Sequence, residues 1–571
     1  MLAIVYSILV LLAVATLCAG QCPAVNAPCY CVPSVYEPVS IVCDNAPSLT
    51  AVISAINSAR SVQIDVLVIT NTQIPVLPPN AFLGFTITRL VLNQNQMGDI
   101  SPGAFEGSIK ESLLELDLRQ NLLGRVPQNG VSQLTRLNKL ALARNRIRQL
   151  LPQSFANYAS KTYLRKIDLS ANQLSTVEPT LFYGLSNLEE VSLQGNSLTY
   201  IPTVAFRDQR TILKNLNLGS NQINSVPIDS LNFPALESLS LEFNLLSNIA
   251  PEAFRGIPSL LSLYLTGNRF NQWYPDMFRY VGSLRNLGMG EMPITRIQSN
   301  AFQYIPSLVK LEMSEAAVNT IDVGAFQKTP HIQAVILDKN RLSRIRGDMF
   351  RGLAKLNTLN LAGNKLNDVD DGAFASLPGL RNLDISNNNL KVIYPDTFSG
   401  TFLPTPEARV LYLCENPWAC NQSLAWFRQW LRDNPSIIID KQNCLAVCRS
   451  PEYLLELPLR SEDYLPTSSH SPTVSPEPYS PLGMPTLGWI ILAVILAILL
   501  TSIFLLAIVR YFVSRKHKEQ KDLIDEQRIL SSAASGYNPG SMVGTANPGS
   551  AVDLDLPPAT TLEERRTYWD Y

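Results

Sequence analysis

Apolar and polar positions recur in one short unit from Leu67 to Asn416: an apolar residue, any residue, an apolar residue, two more, then usually Asn. It reads Leu90-x-Leu92-x-x-Asn95, Leu116-x-Leu118-x-x-Asn121 and Leu140-x-Leu142-x-x-Asn145, and continues through Asn172, Asn196, Asn221, Asn244, Asn268, Asn340, Asn364, Asn388 and Asn416. Thr72, Met292 and Ala316 hold the same place in three degenerate units, giving fifteen turns at intervals of 23 to 28 residues. Alternating apolar residues such as Leu263 and Leu265 predict a short strand that points every second side chain inward. The Asn predicts where the chain leaves that strand, its amide bonding to backbone groups with no sheet partner.

A second apolar column supports this register. Phe82, Phe105, Phe155, Phe182 and Phe206 recur about once per turn, and from Phe254 to Phe398 the interval is a constant 24. The column predicts an aromatic spine on the side of the coil away from the strands. One turn cannot bury its own apolar face, but stacked turns can. Fourteen steps of about 4.8 Å predict a curved rod roughly 70 Å along its arc.

The ends of such a coil need covering. Of nine cysteines, Cys18 lies in the N-terminal apolar run. Cys22, Cys29, Cys31 and Cys43 precede the first turn, and Cys414, Cys420, Cys444 and Cys448 close the array, with none between Cys43 and Cys414. This distribution predicts disulfide-stapled caps and an oxidising compartment. Zinc binding by the close pairs Cys29-x-Cys31 and Cys444-x3-Cys448 is the competing reading. Residues 1–20 read as a secretory signal: Leu2 to Leu17 is apolar, and Cys18-Ala19-Gly20 resembles a cleavage site. The run lacks a basic start, so an uncleaved anchor is the alternative.

Leu487 to Val509 is apolar and free of charge over 23 residues, enough to cross a bilayer as one helix. Arg510, Arg515, Lys516, Lys518 and Lys521 follow at once, which predicts a cytoplasmic C-terminus and external repeats. Ala493, Ala497 and Thr501 share a face of this helix and are candidates for homodimer contact. Residues 451–486, rich in Pro, Ser and Thr, predict an extended stalk, and 510–571 a disordered tail. In the tail, Glu519, Leu523 and Ile524 fit an acidic-dileucine sorting signal. The terminal Trp569-Asp570-Tyr571 could engage a cytoplasmic adaptor by strand addition.

Charge narrows the partners. The chain has 46 Lys and Arg against 47 Asp and Glu, and residues 21–486 balance at 38 and 38. That excludes an overall basic footprint for nucleic acid or for heparin-like polymers and leaves only local patches. Three histidines, His331, His470 and His517, form no metal or catalytic constellation, and no phosphate-binding glycine loop is present. The sequence therefore predicts neither an enzyme nor a cofactor.

Binding is expected on the strand residues between the buried positions. That column contains Asp117, Asp168, Ser192, Asn217, Ser240, Tyr264, Gly288, Glu312, Ile336, Asn360 and Asp384. Its middle departs from the small or acidic trend. Tyr264 neighbours Gly288 and Gly290, then Glu312 and Ile336, where Met292 and Ala316 break the Asn series. Broken regularity in a repeat array points to function there, with drift of two turns as the competing reading. Asn421-Gln422-Ser423 is the single N-glycosylation signal of the repeat-bearing segment, since Asn434 precedes Pro435.

The period and pattern are those of leucine-rich repeats. With Cys22-x6-Cys29-x-Cys31-x11-Cys43 before them and Asn416-Pro417-Trp418-x-Cys420 and Leu424-x-Trp426 after them, the chain resembles extracellular leucine-rich-repeat membrane proteins. Without immunoglobulin, fibronectin or Toll modules it is most similar to the group that carries only repeats outside the cell (eLRRon). The resemblance implies an α/β leucine-rich-repeat solenoid, a curved horseshoe with a parallel concave sheet. Its parts are an N-cap at 21–50, repeats at 51–413, a C-cap at 414–450 and one transmembrane helix. It also implies Cys22–Cys31 and Cys29–Cys43 bridges. Gln422 stands where the family's C-cap has a second thiol and Cys414 appears upstream, so three C-cap connectivities stay open.

The resemblance implies a plasma-membrane protein that binds an extracellular protein or matrix component, in cell adhesion or in the organisation of apical matrix and epithelial junctions. A neuronal or innate-immune receptor or co-receptor signalling through a partner is the alternative.

Overall fold

The computed structural model describes residues 22–461 apart from 33, 35 and 403–407, all within one compact unit. The signal at 1–20, the stalk beyond 461, the span 487–509 and the tail 510–571, with Glu519, Leu523 and Ile524, lie outside the described residues. Among the described residues no helix is long and apolar enough to cross a membrane.

Each turn contributes one strand, from Gln63–Thr70 in the first to Arg409–Tyr412 in the last. With Cys29–Cys31, Ser40–Asp44 and Ile437–Ile438 they form one sheet of 18 strands. Cys29–Cys31 runs antiparallel to Ser40–Asp44; the other pairings are parallel, in unshifted register. Val191 faces Leu216, which faces Leu239, then Leu263, Leu287 and Leu311. The chain folds this way because the inward residue of each strand is apolar and fully buried, and each turn supplies the cover its neighbour lacks.

The asparagines do what their spacing predicts. Asn244 is 3% exposed; its Oδ1 accepts from Ile223 N–H at 2.9 Å, and its Nδ2 donates to Leu218 O and Leu241 O at 3.0 Å. The same three-way bond links most turns, so one side chain satisfies backbone groups of two neighbours. Met292 and Ala316 replace this polar contact with buried apolar atoms. There the Ile294 N–H turns back to Met292 O at 2.8 Å. The opposite side of the coil carries the phenylalanines, whose rings stack from turn to turn, at 4.9 Å for Phe182 on Phe206 and 5.8 Å for Phe302 on Phe326. Phe233 fills the gap between Phe206 and Phe254, edge-on to Phe206.

Disulfides close both ends: Cys22–Cys31 and Cys29–Cys43 before the repeats, Cys414–Cys444 and Cys420–Cys448 after them. Bridges of this kind each contribute about 2–5 kcal/mol in small caps. In the C-cap, Trp418 is fully buried and donates to Leu413 O at 2.8 Å, and the helix Ala425–Asp433 packs Phe427 against Phe398. The cap does not stop at 450. Leu454 and Leu459 are buried, and the buried Arg428 donates to Leu459 O and Ser461 O. Residues 451–461, assigned to the stalk for their prolines, belong to the cap because their leucines find a core to enter.

Candidate binding face

The exposed side of the sheet is built from the strand residues that flank each buried leucine. Tyr264 lies beside Gly288, Gly288 beside Glu312, and Glu312 beside Ile336, on four consecutive strands. The sequence-derived column is therefore one continuous row, and Tyr264, Glu312 and Ile336 are each partly exposed on it. Lys310 pairs with Glu312 at 3.0 Å.

The two glycines make room for their neighbours. A Cβ on Gly288 would meet the Tyr264 ring at 3.2 Å and Thr266 Oγ1 at 3.3 Å. The missing side chain thus gives the ring its place. At Gly290, a Cβ would lie 2.6 Å from Ser314 O, a backbone atom that cannot step aside. Both glycines are buried. Gly290 serves the stacking of turns, and Gly288 seats Tyr264.

Acidic groups gather beside this row. Glu242 follows Ser240, the neighbour of Tyr264 on the preceding strand. Burial pushes the Glu242 carboxyl above its ordinary range, the Ser240 hydroxyl at 3.3 Å holds it down, and the charges of Glu312 and Glu291 raise it further. The two ends of the face are occupied from within the chain. Asp117 pairs with Arg119 at 2.7 Å. Asp384 pairs with Lys441 of the C-cap at 2.7 Å, and that ammonium lies 5.2 Å from the Tyr412 ring. Tyr412 continues the row beyond Asp384. The alternation that marks the row extends to it, since Tyr412 follows Leu411 as Asp384 follows Leu383. Lys441 was not findable, because the cap fold alone brings it there.

Asn421 is exposed at the start of the turn Gln422–Leu424, and its Oδ1 accepts from Ser423 N–H at 3.0 Å. Among the described residues no group of three or more His, Cys, Asp and Glu could hold a metal ion.

The family model for leucine rich repeats matches residues 162–212, 211–270, 306–366, 330–390 and 355–401, so the chain carries leucine-rich repeats. The human leucine-rich repeats and immunoglobulin-like domains protein 1 is 30% identical over 168 residues, which are 29% of this chain and 15% of that protein. Mouse podocan-like protein 1 is 32% identical over 182 residues, 31% of this chain and 30% of that one. The chain thus spans less than a third of either relative. The Drosophila Toll–Spatzle complex in its glycosylated form matches with a TM-score of 0.53 at 17% identity, covering 77% of this chain and 76% of the other, a likeness of fold. Taken with the four disulfides, the chain is a leucine-rich-repeat solenoid with stapled ends, similar to extracellular proteins of that class.

Proposed function

We propose that this is a single-pass cell-surface protein that uses the middle of its repeat sheet to hold an extracellular protein, in cell adhesion or in the organisation of apical matrix. The observation that carries the reading is the row Tyr264–Gly288–Glu312–Ile336. It sets a seated aromatic ring, a carboxylate paired with Lys310 and an aliphatic side chain side by side on one rigid face. An aromatic anchor ringed by polar groups is the composition of a contact hot spot. The solved Toll–Spatzle complex supplies a precedent for a protein ligand on a fold of this kind. Anchoring rests on the uncharged stretch 487–509 and the basic residues after it, and Asn421 is the proposed glycan site.

The test is localisation of the tagged chain in intact epithelium, with its loss examined in parallel. Polarised surface staining together with matrix detachment or leaky junctions upon loss is the expected result. Tyrosine phosphorylation of Tyr537 or Tyr568 on ligand addition, with matrix and junctions intact upon loss, would instead make the chain a signalling receptor.

A further inference from the structure

Between Asp117 and Asp168 the chain holds ten Lys and Arg and no Asp or Glu, although residues 21–486 balance overall. Four of the ten pair with carboxylates at the borders of this stretch: Arg119 with Asp117, Arg125 with Asp99, Arg165 with Glu189 and Lys166 with Glu190. Arg144, Arg146 and Arg148 have no such pairing among the described residues. They stand on the segment that leaves the strand Lys139–Ala141, on the flank of the coil and not on the sheet face. Asn145 and Ile147 between them are buried, so the alternation sends all three guanidinium groups outward.

The stacking of turns fixes this segment. Arg144 N–H donates to Ser170 O at 2.9 Å, Arg146 N–H to Leu123 O at 3.0 Å, and Ile147 O accepts from Gln173 N–H at 2.9 Å. Counted from the ladder asparagines, the equivalent residues of the turns on either side are Gln120, Leu122 and Gly124, and Ala171, Gln173 and Ser175. None is charged. The single side-chain contact in the row is Arg148 Nε to Gln173 Oε1 at 2.9 Å, a neutral partner. With screening lengths of about 8 Å at physiological salt, no carboxylate in these rows cancels the positive potential. The charge balance of residues 21–486 therefore conceals a segregated basic flank.

We propose that this flank binds a sulfated polysaccharide of the matrix or cell surface. Three outward guanidinium groups in a line, on the order of 10 Å long, match the spacing of anionic groups along a linear polymer. The planar guanidinium fork takes an oxyanion by two parallel hydrogen bonds, which an ammonium does not. No exposed aromatic residue belongs to these rows, so they lack the anchor a protein interface would use. The disulfide caps belong to the oxidising side of the membrane, where sulfated chains are the abundant linear polyanion. This site is separate from the Tyr264 row and does not depend on that row's function.

The test passes the purified full-length chain over immobilised heparin in a sodium chloride gradient. The native chain is expected to be retained at about 0.15 M salt. The variant Arg144→Ser/Arg146→Ser/Arg148→Ser is expected to bind roughly tenfold or more weakly there, as lost counterion release dictates for any polyanion. A control, Arg207→Ser/Arg269→Ser/Arg351→Ser, removes the same charge from exposed positions elsewhere and should elute with the native chain. In the native chain, heparin should also shield the three arginines from arginine-directed labelling read by mass spectrometry, a readout that needs no variant. Equal elution of the two variants, or shielding confined to other arginines, overturns the proposal. So does binding to phosphatidylserine vesicles that is lost with the same three residues while heparin is ignored, which would assign the flank to a membrane surface.

Discussion

Single side chains in this molecule act mainly on their neighbours' backbones. Asn244 satisfies an N–H of the preceding turn and carbonyls of two turns, in a place water does not reach. Asn244→Ala leaves those groups buried and unpaired, and chemical denaturation should show a loss of about 1–3 kcal/mol. An unchanged midpoint would mean the ladder is dispensable, as its natural absence at Met292 and Ala316 hints for those two turns. Glu242 is a second informative residue. Its carboxyl is raised in the folded chain, so folding favours the protonated form. The favourable contribution is present below the ordinary carboxylate range and is lost as pH rises through the raised value. Glu242→Gln should accordingly raise the melting temperature at pH 7, and the gain over the native chain should shrink toward zero in acid. A gain that persists below pH 4 would assign it to packing.

At the scale of strands, spines and caps, most of the structure is legible in the sequence because one rule repeats. A strand of three residues has no distinctive local signal, yet Leu239, Leu263 and Leu287 at a fixed period define their own register. The phenylalanine column is legible for the same reason, and Phe233 escaped it only by sitting off the period. Caps obey no period. The Cys414–Cys444 and Cys420–Cys448 pairing depends on how the helix Ala425–Asp433 folds back, which spacing alone does not specify. The end of the cap is hidden in the sequence because the proline-rich composition of 451–486 masks two leucines, Leu454 and Leu459, that enter the core. A chain ended after Ser450 should lose the Leu459 and Ser461 carbonyls that accept from Arg428, together with the packing of Leu454 and Leu459. Removing the buried Leu454 and Leu459 costs on the order of 2–5 kcal/mol, and retention in the secretory pathway would report it. A chain ended after Ser461 should be secreted normally. Equal secretion of the two would return residues 451–461 to the stalk.

For the molecule as a whole, the candidate face was legible as a row but not as a surface. Period-two alternation placed Tyr264, Glu312 and Ile336 together, whereas only packing distances reveal that Gly288 seats the ring and Gly290 spaces the turns. Ion pairs recur along the face, at Asp117, Glu312 and Asp384, so the ring of Tyr264 seated over Gly288 is what distinguishes its middle. The most direct measurement is attachment of cells displaying the full chain to epithelial matrix, read beside the melting temperature of the same variants. Tyr264→Ala should weaken attachment by about 2 kcal/mol, roughly thirtyfold, with folding intact, and Glu312→Lys should act in the same direction. Asp117→Ala should leave attachment near native. Full attachment by the Tyr264 variant, with loss on exchanging an end region of the repeats, would contradict the account and move the binding site away from the centre of the sheet.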